Sequence, residues 1–143
     1  MLYLAYGINT NREAMTSRCP KAKPLGGFYL PNHRLVFRGV ADYEHHTDFI
    51  LPAVMWEITD DCLKELDKLE DYPRLYNRTK IKEHRFWIYE MNDKGYTKPP
   101  SRDYYVMIEQ GYKDFGLDDH QLRVAEREAN LFSDDSLYKL HKL

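Results

Sequence analysis

The chain opens on an unbroken apolar run, Met1-Leu2-Tyr3-Leu4-Ala5-Tyr6, which ends at Gly7. A short apolar run bounded by glycine reads as a buried strand, here over residues 2–6. Asn9-Thr10-Asn11 then supplies capping side chains ahead of Arg12-Glu13-Ala14-Met15, where a helix is predicted to start. Pro20, Pro24 and Gly26-Gly27 punctuate the next stretch, and strand patterns follow over residues 28–30 and 34–37. Residues 42–48, rich in Asp, Glu and His, read as a polar loop. The apolar run of residues 49–58 comes after it, and Pro52 inside that run predicts a strand edge or a bulge.

Thr59 is placed to cap a helix, with Asp60 and Asp61 in the first turn, where the positive end of the helix dipole favours them. The helix is expected to run to about Glu70, because the backbone before Pro73 avoids the helical region. Strands are predicted over residues 77–83 and 86–91, with a turn at Asn92-Asp93-Lys94-Gly95. Pro99-Pro100-Ser101 opens a helical stretch carrying Tyr104, Tyr105, Ile108 and Tyr112, which Gly111 and Gly116 weaken or end. Asp118 or Asp119 caps a last helix carrying Leu122, Ala125, Ala129 and Leu131. Strands mixed with helices in no strict alternation predict an α+β fold with a small mixed, curled or barrel-like sheet and flanking helices.

A length of 143 residues suits a single domain spanning 1–143, and a 43% hydrophobic share is enough for a buried core. The formal net charge is −2, so long-range attraction to nucleic acid or to an anionic membrane is not expected. Cys19 and Cys62 are too few for a disulfide framework and lack a CxxC spacing, which predicts reduced thiols in a cytoplasmic protein. The apolar N-terminal run is too short for a signal peptide or a membrane span. His45-His46 with Asp42, Glu44 and Asp48 lacks the helical or hairpin spacing of a metal site, and a solvated loop is the better reading. No metal, nucleotide or flavin is implied, since there is neither a P-loop nor a GxGxxG motif. Most of the twelve tyrosines lie in strand and helix patterns that need core aromatics, and no basic stripe accompanies them.

The helix after Thr59 holds the most informative residue. Leu63 and Leu66 form its apolar stripe, and at about 100° per residue Glu70 projects between them. Lys64, Glu65 and Lys68 point elsewhere. A carboxylate so aimed loses solvent and meets the negative end of the helix dipole; both raise its proton affinity toward the range useful for proton transfer. Periodicity leaves a second orientation open, in which Glu70 marks a frayed helix end and turns out to water.

Tyr3 to Asn9 is an apolar strand running into a glycine-containing turn and a helix start. Such a turn leaves backbone N–H groups available to an anion or a developing oxyanion. Tyr6-Gly7-Ile8-Asn9 resembles the Tyr-Gly-Ser-Asn loop of the γ-glutamyl cyclotransferase family. Arg18-Cys19-Pro20, Ala22, Gly26 and residues 30–37 are similar to that family's next segment. Trp56-Glu57-Ile58-Thr59 and Leu66-Asp67-Lys68-Leu69-Glu70 resemble its strand and helix, ending at the family's catalytic glutamate. Tyr76 stands where many members carry a tyrosine, and Pro100-Ser101-Arg102-Asp103-Tyr104, Gly111 and Gly116-Leu117 match a pattern of the C-terminal half. The usual serine of the loop is Ile8 here. Backbone N–H groups survive that exchange, and because isoleucine resists a positive φ, the turn's positive φ is expected at Gly7 or Asn9.

The resemblance implies an intramolecular aminolysis with Glu70 as acid/base and residues Tyr6, Gly7, Ile8 and Asn9 holding substrate oxygens. Tyr76 and Tyr104 become candidates to bind substrate or to fix Glu70. It further implies a small-molecule γ-glutamyl substrate with no cofactor, no nucleic acid and no membrane partner, and a monomer or homodimer. Two alternatives stand beside it: an enzyme specific for γ-glutamylamines, and a catalytically silent binding module on the same fold.

Overall fold

The computed structural model describes residues 1–81 and 85–132. Its strands are β1 (Leu2–Ala5), β2 (Lys23–Arg38), β3 (Val40–Glu57), β4 (Tyr76–Ile81) and β5 (Phe86–Met91), in the spatial order β2-β3-β1-β5-β4. β1 lies in the middle, antiparallel to β3 from Leu2↔Glu57 to Ala5↔Val54 and parallel to β5 at Leu2↔Phe86 and Tyr3↔Trp87. A short strand paired on both sides and buried from Tyr3 to Ala5 explains its continuous apolar run. Helices α1 (Arg12–Arg18), α2 (Asp60–Leu69), α3 (Arg102–Phe115) and α4 (His120–Phe132) flank the sheet, so the α+β expectation with a small mixed sheet holds. The sheet is open, with β2 and β4 as its edges. Among the described residues, no helix is long and apolar enough to cross a membrane.

Three differences from the sequence reading have physical reasons. Residues 28–30 and 34–37 are not two strands but parts of β2, because bulges after Pro24 and Pro31 absorb the breakers, with Asn32 at φ 63°. Residues 42–48 are not a loop: they lie inside β3, with Asp42 opposite Val36 and His45 opposite His33. Charge pairs on the same hairpin make that possible, Arg34 meeting Glu44 at 2.5 Å and Arg38 meeting Asp42 at 2.9 Å. Asp42 is fully buried rather than solvated. Third, Gly111 does not end its helix, which runs on to Phe115 and stops at Gly116 in the left-handed region, φ 63°.

The capping expectations are met. Asn11 Oδ1 accepts from the Ala14 N–H, Thr59 Oγ1 from the Cys62 N–H, and Asp118 Oδ1 from the His120 N–H. Pro52 sits where β3 has a neighbour on one side only, since the β1 pairing stops at Val54 while Tyr29 still pairs with Pro52. The predicted strand of residues 77–83 is present to Ile81; residues 82–83, and residues 133–143 of the expected domain, lie outside the described residues.

Candidate active site

The chain leaves β1 at Ala5 and immediately makes a 3-10 turn, Ile8–Thr10, closed by the Thr10 N–H on Gly7 O at 3.0 Å and the Asn11 N–H on Ile8 O at 3.1 Å. The Thr10 hydroxyl also donates to Gly7 O, at 2.7 Å. The N–H groups of Gly7, Ile8 and Asn9 donate to no described residue. Gly7 has φ −110°, and neither it nor Asn9 takes the positive φ expected from the sequence. Glycine is needed at position 7 for a close approach: a Cβ there would lie 3.1 Å from the Ala41 Cβ and 3.4 Å from the Tyr104 hydroxyl.

α3 packs directly onto this turn. A Cβ on Gly111 would come within 2.6 Å of Asn11 N and 2.5 Å of Thr10 C, so the helix approaches backbone to backbone only because residue 111 has no side chain. Trp56 holds the turn from below, its indole N–H donating to Asn9 O at 3.0 Å. The site is thus assembled from distant parts of the sequence onto the end of one central strand.

Glu70 ends α2 as its C-cap, with the N–H bonded to Leu66 O at 2.9 Å. The buried positions of α2 are Cys62 and Leu66, with Leu63 packed partly against the core. Glu70 is half-buried and lines a small cavity together with Tyr6, Gly7, Ile8, Asn9 and the hydroxyl-bearing residues below. Loss of solvent raises its carboxyl from the ordinary 4.5 to about 7, against the pull of the nearby Arg18 charge. Of the two orientations left open by periodicity, the inward one is found. The cavity volume is about 20 Å³, room for about one water molecule.

Five tyrosines, Tyr3, Tyr6, Tyr76, Tyr89 and Tyr104, face that space, and burial raises the proton affinity of each. Three have their protons engaged: Tyr6 donates to Tyr89 O at 2.5 Å, Tyr76 to Ala41 O at 2.5 Å and Tyr89 to Asp67 Oδ1 at 2.7 Å. The hydroxyls of Tyr104 and Tyr3 instead accept, from the Ala41 N–H and from Asn9 Nδ2, each at 3.0 Å, and donate to no described residue. They are the two cavity hydroxyls with a free proton among the described residues. All seven residues singled out from the sequence line the cavity. Tyr3, Ala41 and Tyr89, which line it too, were missed, as was Arg18, which reaches it through Asn9; Tyr3 read only as one more apolar strand residue, and Ala41 acts through its peptide, which no sequence pattern marks.

Among the described residues there is no group of three or more His, Cys, Asp or Glu side chains suited to a metal ion. The two cysteines are buried and unpaired, with Cys19 Sγ 3.7 Å from Cys62 O. Burial pushes the Cys19 thiol up to about 12, away from nucleophilic use.

The family model for "Gamma-glutamyl cyclotransferase, AIG2-like" matches residues 3–108 of the chain. No curated protein matches it. Among solved structures, a γ-glutamyl cyclotransferase is similar at TM-score 0.71 and 22% identity, with 92% of this chain and 87% of that one covered. An uncharacterised protein from Homo sapiens is similar at TM-score 0.70 and 22% identity, covering 92% and 86%. YkqA from Bacillus subtilis is similar at TM-score 0.75 and 17% identity, covering 92% of this chain and 55% of that one.

Proposed function

The chain belongs to the AIG2-like γ-glutamyl cyclotransferase family, and on that premise we propose that it releases 5-oxoproline and a free amine from a γ-glutamyl substrate. The observation that carries the reading is a carboxyl group of near-neutral proton affinity, Glu70, lining one cavity with three unengaged N–H groups. In the reaction the substrate's α-nitrogen forms a bond to the carbonyl carbon of its own γ-amide, and the bond from that carbon to the leaving amine breaks. Glu70 as carboxylate takes in turn the two protons that the α-ammonium loses, one before attack and one from the tetrahedral adduct, and passes them to the leaving nitrogen, which departs as an ammonium. The N–H groups of residues 7–9 and the Tyr104 hydroxyl stabilise the oxyanion formed at the γ-carbonyl; one such donor is typically worth about 3 kcal/mol. The substrate brings its own nucleophile, and what the protein supplies is a folded, near-attack arrangement. A cavity of about 20 Å³ does not hold a γ-glutamyl group, so side chains at its mouth move aside when substrate enters.

The small cavity and Ile8 in the loop favour a second reading, a catalytically silent member that binds a partner through the same fold. Incubation with γ-glutamyl-amino acids, γ-glutamyl-amines and γ-glutamyl-ε-lysine, with 5-oxoproline as readout, separates the two. Release by the wild type and its loss by orders of magnitude in Glu70→Gln is the expected result. No release from any member of the panel would leave the silent reading standing.

A further inference from the structure

Arg18 stands out among the charged side chains near the cavity. It is the last residue of α1, and that end of the helix is fixed by the buried Met15 and Cys19, with the Cys19 N–H on Met15 O at 2.8 Å. Its guanidinium is half-buried, yet it makes no ion pair with any described carboxylate. Its hydrogen bond goes to a neutral acceptor and is short, Nη1 to Asn9 Oδ1 at 2.5 Å. Asn9 is fully enclosed, and its amide passes the contact on, Nδ2 donating to the Tyr3 hydroxyl at 3.0 Å. The Asn9 main chain is meanwhile held by Trp56.

Several other charges on α2 and around the cavity are matched. Asp67, on the same helix, is held by Arg78 at 2.9 Å, Lys68 by Glu65 at 3.1 Å, and Asp71 by Arg74. Asp42, which lies across the cavity wall from Tyr6 and Tyr76, is held by Arg38 and Lys94, each at 2.9 Å. The tyrosines facing Glu70 from β1, β4 and α3, namely Tyr3, Tyr6, Tyr76 and Tyr104, are kept neutral by burial. Arg18, hydrogen-bonded to the cavity-lining Asn9, has no carboxylate partner among the described residues.

We propose that Arg18 is a positioning residue: through Asn9 its guanidinium orients the Tyr3 hydroxyl toward the cavity that Glu70 also lines, and it brings a cation without a carboxylate partner to that wall. The direction agrees with the electrostatics, since the Arg18 charge draws Glu70 downward while burial drives it up. Asn9 is fixed with its carbonyl toward Arg18 and its amide toward Tyr3, because a guanidinium only donates. Tyr3 thereby accepts from Asn9 and keeps its proton for a group in the cavity. Substitution of Arg18 removes both effects at once.

The inference rests on the acid/base reading of Glu70 for its catalytic consequence, but not for its physical content. Carboxyl ¹³C titration of Glu70 in the wild type, Arg18→Gln and Arg18→Lys tests the charge effect without any activity. Glu70 is expected to titrate at higher pH in Arg18→Gln and near the wild-type position in Arg18→Lys. With a turned-over γ-glutamyl substrate, the acid limb of kcat/KM moves the same way, and kcat falls more than KM rises. An unmoved Glu70 titration in a folded Arg18→Gln protein overturns the proposal. So does a large rise in KM with kcat unchanged, which makes Arg18 a direct ligand of the substrate carboxylate. A shifted titration in a protein that turns over no γ-glutamyl compound upholds Arg18 and removes the cyclotransferase reading instead.

Discussion

Glu70 carries a conflict between stability and chemistry that can be measured. Its carboxyl titrates near 7 in the folded protein against 4.5 when solvated, so between those values the folded state holds a proton that the unfolded state has lost. The stability linked to Glu70 is therefore complete below about pH 4.5 and is lost as pH rises through about 7. Glu70→Gln is expected to melt higher than the wild type at pH 8, with the difference shrinking toward pH 4.5, while 5-oxoproline release disappears. Thermal melts across that range check it, and equal melting curves at pH 8 would mean the carboxyl is solvated. The pH–rate profile of the wild type should fall on its acid side with a midpoint near 7. The tyrosines divide by the use of their protons. Tyr76→Phe removes the donor to Ala41 O and should lower stability by about 1–3 kcal/mol with a modest change in kcat. Tyr104→Phe leaves the Ala41 N–H unpaired at similar cost, and it also removes a free proton from the cavity, so kcat should drop more than in Tyr76→Phe. Chemical denaturation and steady-state kinetics on the pair separate the two roles.

The 3-10 turn and α3 form one unit at the level of elements. α3 touches the turn through Gly111, and a methyl group there would meet main-chain atoms of Thr10 and Asn11 that have no rotamer to escape into. Gly111→Ala is expected to destabilise by about 1–3 kcal/mol or more, and to lower activity further because the N–H groups of residues 7–9 shift with the turn. Gly116→Ala serves as its contrast: nothing crowds that position, and the left-handed backbone, φ 63°, costs only about 1 kcal/mol, with kcat unchanged. Equal effects of the two substitutions in thermal melts and turnover would mean that the contact at position 111 is unimportant. The sequence marks both residues as glycine in a helical stretch, yet only packing tells a cap from a contact.

Over the whole molecule, the tip of the β2–β3 hairpin is tied to the rest through Asp42. Its buried carboxylate accepts from Arg38 Nε at 2.9 Å, from Lys94 Nζ at 2.9 Å and from the Met91 N–H at 3.0 Å, joining hairpin, β5 and the segment that follows. Gly39 and Lys98 reinforce the join, the Gly39 N–H lying 2.8 Å from Lys98 O. The same tip presents Ala41 to Tyr76 and Tyr104, so the clamp supports the cavity wall. Asp42→Ala strips the Met91 N–H and the Arg38 Nε–H of their buried acceptor, while Arg38 keeps Glu44 and Lys94 keeps Glu90, and is expected to cost about 1–3 kcal/mol in urea denaturation. A loss below 1 kcal/mol would show the clamp to be incidental.

Local chemistry determined much of this protein. The apolar run of β1, the caps at Asn11 and Thr59, the glycine stop of α3 and the inward face of α2 are all short-range patterns, and each is found where its residues put it. The α+β class and the family followed from those patterns and from motifs kept in order along the chain. Tertiary structure alone decided the rest, because the deciding partners are far apart in sequence. A polar stretch became strand once Arg34 and Arg38 of β2 lay beside it, Ala41 became a wall of the cavity through its peptide group, and Arg18 came to rest on the cavity-lining Asn9, unmatched by any described carboxylate. Periodicity aims a side chain at an interior; only the packed chain determines whether that interior is filled, paired or left open for chemistry.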